Sequence, residues 1–567
     1  MREAVRTRLS WRHWGRQRRL VLDAALLGVA GAAAAQVFTL LLRWSNALLL
    51  GAIAGYRPPG LPNEGNAVHE LVGPHGLWLI PLATTLGGLI VGILVQRLAP
   101  ETEGHGTDTV VHAFHRTGGV LRPRVTPIKL VASAITIGSG GSAGREGPIA
   151  LAGAGIGSWY AQLTKRSAAD RRILLVVGMA AGIAAIFRSP VGAALFAIEV
   201  LYVEMEFESG ALLPAMLASI VAYAINGFFV GWQPLFRVPA RLTLAHTVDN
   251  GWYLALGVAA GLVATFVPVV FYGVREAFRK IPVRLELKPA IGGLLVGLVA
   301  LAYPRVIAGG YGWMQQAMDG RLAVGALLAL VVAKPLAMSL TISSGGSGGV
   351  FAPTLFIGAM LGALLAGLTH QPSAPLVVVG MAAVFAGAAH VPVASLMMVT
   401  EMTGGYTLLV PAALAVMVSY LIHRRLAPRG LYQGLYEAQV ATRADSPAHH
   451  AEHLRIALRL LKEQRILNAD GIGQLDFLAL LRTGIPIEVP NGRRLVIGVL
   501  RPDSPWRGHP AGLDGRSPDD DTRIFAVIRG SQMIQPAPDT NLEAGDRLVL
   551  ITTVGNLDRL KSQVDKW

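Results

Sequence analysis

Gly138-Ser-Gly-Gly-Ser-Ala-Gly-Arg-Glu-Gly-Pro148 sets an arginine and a glutamate, Arg145 and Glu146, in a glycine-rich break between apolar segments. An ionisable group at membrane depth costs at least ~2.5–3.5 kcal/mol on insertion scales, so it is retained where it lines an ion, proton or substrate path. Glu146 is therefore the first residue to explain, and its flanks decide the fold class.

Those flanks suit a bilayer. Of 567 residues, 52% are hydrophobic and 15% charged, with a mean hydropathy of +0.48. A soluble globular domain carries roughly 25% charged residues. Apolar windows long enough for a ~30 Å hydrocarbon core recur, as at residues 77–98, 211–230, 252–272 and 322–340. Much of the net charge of +15 sits beside apolar segments, as in Arg2, Arg6, Arg8, Arg12, Arg16, Arg18 and Arg19. That is positive-inside patterning, which puts the N-terminus in the cytoplasm and replaces nucleic acid as the reason for the charge. The small residues at 31–35 do not read as a signal-peptide cleavage site, because apolar character resumes through 37–50. With no cysteine, disulfides and thiolate metal sites are excluded.

The membrane part, residues 19–438, repeats itself. Val-Val-Gly-Met-Ala-Ala occurs at 176–181 and 378–383, followed by Pro190 and Glu199 in one copy and Pro392 and Glu401 in the other. Upstream, Lys129, Ser139-Gly-Gly-Ser142 and Pro148 match Lys334, Ser344-Gly-Gly-Ser347 and Pro353 at one offset of 205 residues. The halves span about 19–230 and 251–438. An odd number of spans in each would invert one half against the other, and such folds hold substrate at the midplane between repeats.

Each Ser-Gly-Gly-Ser loop precedes a proline opening a new apolar helix, where the missing N–H is not needed. Glycines let the backbone turn and approach a ligand closely. The free N–H groups and positive dipole end of each helix then suit an anion. Close helix packing is the other use of glycine in membrane helices. A nucleotide-binding loop is disfavoured because no Lys-Ser/Thr follows the glycines. A cation route is disfavoured because helix N-termini, not a ring of carbonyls, face the break.

Gly144-Arg-Glu-Gly-Pro148, Gly349-Val-Phe-Ala-Pro353 and Gly430-Leu-Tyr432 resemble three signatures of the chloride channel and chloride/proton antiporter (ClC) family. The resemblance covers about residues 19–438. It implies an all-α polytopic homodimer with an inverted repeat and a pore in each subunit, sited in the cell (inner) membrane. The anion would be held by the backbone amides of Val350 and Phe351 and by the hydroxyl of Tyr432. Glu146 would be the gating glutamate, whose carboxylate competes with the anion. Gly144, Gly147 and Gly349 would break the helices. Arg145 and Lys129 would set the pore electrostatics, Lys129 being equally suited to a structural role.

Two departures bear on activity. The first family signature reads Gly-Ser-Gly-Ile-Pro, and here Gly104-His-Gly-Thr-Asp108 puts His105 at the serine. A neutral imidazole donates one hydrogen bond and a protonated one adds charge, so anion preference and pH response both turn on it. Alternatively His105 points away and nearby N–H groups bind the anion. In antiporter members an acid follows the position of Glu199, and here it is Val200. Valine cannot relay a proton, so the reading leans to a passive gated chloride channel. A proton-coupled chloride antiporter, with Glu204, Glu206 or Glu208 substituting through water, is the alternative. A membrane sensor with vestigial transport is the third reading, and the intact pore signatures argue against it.

His112-x-x-His115 and His449-His-x-x-His453 read as an exposed helix and a linker rather than metal sites, and no nucleophile–base arrangement appears. The expectation is neither enzyme, metal nor cofactor. After a basic N-terminus at 1–18 and the membrane part, a helical linker at 439–482 leads to a small β-rich α/β domain at 483–567. Its apolar runs 495–500, 524–528 and 547–551 alternate with Pro, Gly and Asp turns. With Pro536, Leu542 and Gly545-Asp546, they resemble the C-terminal regulatory (RCK-C) subdomain of potassium transport regulators. That resemblance implies ligand sensing or dimerisation in the cytoplasm, the ligand being unknown.

Overall fold

The computed structural model describes residues 15–64, 69–238, 249–427, 434–443, 445–449, 487–489, 493–509, 522–529, 532–534, 540–553, 556, 560 and 564–565. Two compact units divide the chain, Met1–Val440 and Ala441–Trp567.

The first unit is helical. Its first eight α-helices are α1 (Arg16–Ser45), α2 (Ile80–Leu98), α3 (Thr107–Arg116), α4 (Val125–Gly138), α5 (Glu146–Leu163), α6 (Ala168–Phe187), α7 (Pro190–Glu199) and α8 (Ser209–Val230). The second eight are α9 (Asp249–Lys280), α10 (Lys288–Ala302), α11 (Tyr311–Met318), α12 (Val324–Ile342), α13 (Phe351–Thr369), α14 (Ser373–Ala389), α15 (Pro392–Thr403) and α16 (Leu409–Leu426). Each helix has a counterpart eight later. Among the described residues, eight helical segments are long and apolar enough to cross a membrane. Others are short, because the glycine breaks and the prolines opening α7 and α15 interrupt what would otherwise be longer spans.

A local two-fold axis relates the halves. The N–H of Gly144 donates to the carbonyl of Gly349 and the N–H of Gly349 to that of Gly144, both at 2.8 Å. These residues are 205 apart (349 − 144), so a residue pairs reciprocally and antiparallel with its own repeat counterpart. Only an axis through the pair allows that. It leaves α5 and α13 starting at the same place, N-terminus to N-terminus.

Buried charges follow the same symmetry. Glu199, ending α7, accepts from the N–H groups of Val393 (3.1 Å) and Ala394 (2.6 Å) at the start of α15. Glu401 on α15 accepts from Val191 (3.2 Å) and Gly192 (2.8 Å) and from the Ser189 hydroxyl (2.6 Å) at the start of α7. Each carboxylate caps the other repeat's helix, using N–H groups that no helix can satisfy for itself. Lys129 donates to the carbonyls of Thr102 (3.0 Å) and Gly104 (2.7 Å), as Lys334 does to Val306 (2.8 Å) and Ala308 (2.7 Å). Close packing uses glycine too: a Cβ on Gly153 would overlap the carbonyl of Gly178 across α5–α6, and one on Gly358 that of Gly380 across α13–α14.

Before α2 a short hairpin pairs β1 (Tyr56–Arg57) with β2 (Leu71–Val72). The second unit carries an antiparallel sheet of β3 (Ile487–Val489), β4 (Arg493–Leu500), β5 (Arg523–Arg529), β6 (Gln532–Ile534), β7 (Arg547–Thr553) and β8 (Val564–Asp565). The order is β3-β4-β7-β5-β6, with β8 also on β4. The three apolar runs read from the sequence are β4, β5 and β7. Their inward residues, Val496, Val527, Leu548 and Leu550, pack around the buried Trp506. Most of the expected helical linker lies outside the described residues.

Arg529 holds Asp546 through both nitrogens, Nε to Oδ1 at 2.9 Å and Nη2 to Oδ2 at 2.8 Å. Burial raises the Asp546 carboxyl, but that guanidinium and the N–H of Glu543 outweigh it and hold it below the usual carboxylate range. Its stabilisation is therefore present above the unfolded carboxyl's pKa of about 3.9 and is lost as pH falls through the lower folded value.

Glu401→Ala should lower the stability of the membrane unit by about 0.5–2 kcal/mol through loss of the cap. Glu199→Ala should match it. Thermal melting of the detergent-solubilised protein checks both, and an unchanged midpoint in either contradicts the reciprocal capping. Asp546→Asn should speed hydrogen exchange of the β5 and β7 amides at neutral pH, with the difference from wild type shrinking at matched acidic pH.

Candidate functional site

The site lies on the two-fold axis, where the starts of α5 and α13 meet. Glu146 is the first residue of α5 and is buried. Its Oε1 accepts the N–H of Ala352 at 3.0 Å, and the N–H of Phe351 also reaches the carboxylate. The carboxylate thus stands where a helix N-terminus binds an anion, at the positive end of the α13 dipole. Among the described residues its Oε2 is buried without a hydrogen-bond partner.

The three helix-break glycines each make room. A Cβ on Gly144 or on Gly349 would overlap the Glu146 carboxylate, and one on Gly147 would overlap the carbonyl of His105. Val350 precedes Phe351 at the N-cap of α13 and is buried. Phe351 sits in an aromatic cluster, 4.5 Å from Phe385 and 5.2 Å from Phe187 between ring centroids.

Tyr432 lies outside the described residues. The phenol found beside Glu146 is Tyr436, which is buried, shares a side-chain hydrogen bond with Thr107 and feels the Glu146 charge. Gly434-Leu-Tyr436 repeats the tripeptide Gly430-Leu-Tyr432 four residues later. The motif was visible twice in the sequence, and nothing local distinguished the copies.

Two vestibules open near the start of α5. One, of about 430 Å³, is lined by Gly138 and Ala143, either side of the first Ser-Gly-Gly-Ser loop, and by residues 308–311, with Arg43, Arg57 and Arg145 in its wall. The other, of about 410 Å³, is lined by residues 104–106 and by Ser343, Ser344 and Gly345 of the second loop region. Residues 308–310 are the counterparts of 104–106, and in both segments a positive-φ glycine, Gly106 or Gly310, opens the following helix. The two-fold axis therefore exchanges the vestibules, as an inverted repeat does.

Arg145 does not face the anion position as a bare charge. It pairs with Glu64 at 2.8 Å and stacks over Tyr311, 4.7 Å from the ring centroid. Lys129, fully buried, holds the turn ahead of α3 through two carbonyls, so its structural use is the one seen. His105 is buried, with Nε2 3.1 Å from Asp108 and its ring 5.3 Å from that of Tyr436. Val200 is buried where α7 ends, its carbonyl accepting from Gln439. Nearby Tyr202 donates to Glu208 at 2.7 Å, and His115 Nε2 lies 3.0 Å from the carbonyl of Leu201, which makes His115 a packed core residue.

Glycine at residue 349 is demanded by the carboxylate itself, so Gly349→Ala should expel Glu146 from its place. Its anion flux in liposomes should lose the pH dependence that Glu146 confers, as Glu146→Gln does. A wild-type pH profile in Gly349→Ala would show that the carboxylate position is not what the glycine protects.

Comparison with known proteins gives two domain matches. The voltage gated chloride channel family matches residues 87–424, and the TrkA-C domain matches residues 495–565. A Ralstonia nicotianae protein named as a ClcB-like chloride channel protein is 30% identical over 414 residues, spanning 70% of this chain and 92% of its own. The H(+)/Cl(−) exchange transporter ClcA of Cronobacter sakazakii is 29% identical over 437 residues, 74% of this chain and 90% of that one. Among solved structures, a CLC-type fluoride/proton antiporter superposes with a TM-score of 0.63 at 23% identity, over 75% of this chain and 98% of its own. A slow cyanobacterial Cl⁻/H⁺ antiporter gives 0.61 at 22% identity, over 72% and 93%.

Proposed function

The chain belongs to the voltage-gated chloride channel family and is a multi-pass membrane protein that transports anions, and we propose that chloride passes through the Glu146 site. The observation that carries this is the Glu146 carboxylate on the amides of α13, near two vestibules, one lined by its neighbour Arg145 and the other by His105 and Gly106. When ionised it takes the anion's place on those N–H groups. When protonated it loses its charge and yields them. The anion is then held by the amides of Val350 and Phe351 with a tyrosine hydroxyl, that of Tyr432 by the signature or that of Tyr436, the phenol described beside Glu146.

Passive gated conduction is the first reading, because Val200 places no titratable group where antiporter members carry an acid. Proton-coupled exchange is the second, favoured by the names of the relatives and by the buried Tyr202–Glu208 bond close to Val200. The protein acts as a homodimer in the cell (inner) membrane with both termini cytoplasmic, and its TrkA-C-like domain regulates it by ligand or by pairing.

Chloride and pH recorded together during efflux from chloride-loaded liposomes test both readings. Uphill proton movement driven by the chloride gradient and abolished in Glu146→Gln establishes exchange. Chloride efflux without proton pumping establishes a conductor gated by Glu146. Absence of chloride flux in either protein rejects the proposal. Deletion of residues 445–567 should leave a conducting dimer with altered regulation, whereas a folded, dimeric but inactive truncation would contradict a regulatory tail.

A further inference from the structure

We infer that His105 takes up a proton together with the transported anion, so that anion binding at this site is itself proton-linked. The inference rests on the anion-transport reading and adds a second proton-bearing group to it.

The argument is one of hydrogen-bond accounting. His105 Nε2 lies 3.1 Å from Asp108 Oδ2, while Nδ1 is buried with no hydrogen-bond partner among the described residues. The ring forms part of the wall of the 410 Å³ vestibule, near Tyr436 at 5.3 Å and Phe271 at 6.3 Å between centroids. A neutral imidazole has one N–H. If that proton sits on Nε2 and serves Asp108, Nδ1 presents a lone pair, which repels an anion. If it sits on Nδ1 and serves the anion, the Nε2 lone pair faces the Asp108 carboxylate. Only the imidazolium, with two N–H groups, satisfies carboxylate and anion together. The proton comes from solvent by way of the vestibule, the one bond formed is the new ring N–H and the one broken is the O–H of the donating hydronium, and the anion gains an N–H donor where family members carry a hydroxyl.

The charges around the ring are consistent with such a switch. Asp108 also accepts the N–H of Ala438 at 3.2 Å, which holds the carboxylate in place. From α4, the Lys129 ammonium is committed to the carbonyls of Thr102 and Gly104. From α5, Glu146 lies one residue from Gly147, which abuts the His105 carbonyl. From α9, Arg275 pairs with Glu437 at 2.8 Å, and Arg279 shares the vestibule wall with Lys288 and Glu103. Tyr436 closes the side toward Glu146.

Because Glu146 titrates against the anion as well, the test is made in full-length Glu146→Gln protein, with chloride titrated calorimetrically in detergent between about pH 5 and 8. Where the anion-free ring is neutral, chloride affinity should fall about tenfold per pH unit, the linkage expected for one proton taken up with one anion. Adding His105→Ser should keep chloride binding, through the hydroxyl it supplies, and abolish the slope. A flat profile in Glu146→Gln, or an unchanged slope after His105→Ser, overturns the inference while wild-type chloride flux in liposomes still stands. No binding in any variant, with no flux from wild type, overturns it together with the anion reading.

Discussion

Everything at the centre of the membrane unit depends on two hydrogen bonds between Gly144 and Gly349. They join a residue to its own repeat counterpart, and so place the axis relating the halves at the point where α5 and α13 begin. Two helix N-termini directed at one spot leave uncompensated N–H groups and positive potential there. A side chain on either glycine would occupy the space the Glu146 carboxylate now fills. The anion site is therefore a product of backbone and symmetry, and side chains modulate it.

Symmetry also explains why few buried charges are left to act on the ion. Glu199 and Glu401 cap each other's repeat, Lys129 and Lys334 bind carbonyls in matching turns, and Arg145 is paired with Glu64. A fixed cation at the midplane would hold an anion too tightly to release it, and conduction requires binding weak enough to leave. Function enters where the symmetry breaks. The counterparts of Arg145 and Glu146 are Val350 and Phe351, and those of His105 and Thr107 are Gly309 and Tyr311. One half carries the titratable groups and the other supplies the amides.

The repeat, the breaks and the sheet strands were legible in the sequence because each has local chemistry: a fixed offset, glycines ahead of a proline, apolar runs between turn residues. Glu199 and Glu401 were legible as matched positions, but their exchange of caps was not, because the partners lie 194 to 212 residues away. Arg145 read as a pore charge because Glu64, 81 residues earlier, announces nothing about meeting it. Tyr436, the phenol that feels the Glu146 charge, sits in a second Gly-Leu-Tyr four residues after the one ending at Tyr432, and Tyr432 itself lies outside the described residues. Asp108 looked like an ordinary residue after a glycine turn. Its role follows from the turn at Gly106 that opens α3, which brings Asp108 beside His105.

Loss of an acid at Val200 changes what a proton can do here. A carboxylate there would give protons a branch separate from the anion's path, able to load while the anion site is occupied. With Val200 buried and its carbonyl bonded to Gln439, the two proton-bearing groups that the proposed anion site involves are Glu146 and His105, and the anion would act on them by different routes. On the proposed reading, Glu146 competes with the anion and takes its proton when the anion displaces it from the α13 amides. His105 would bind its proton in order to receive the anion. In both cases the anion-loaded state is the more protonated one. Anion occupancy and protonation thus rise together at a single place, and the direction in which each vestibule releases the proton separates a pH-gated conductor from an exchanger.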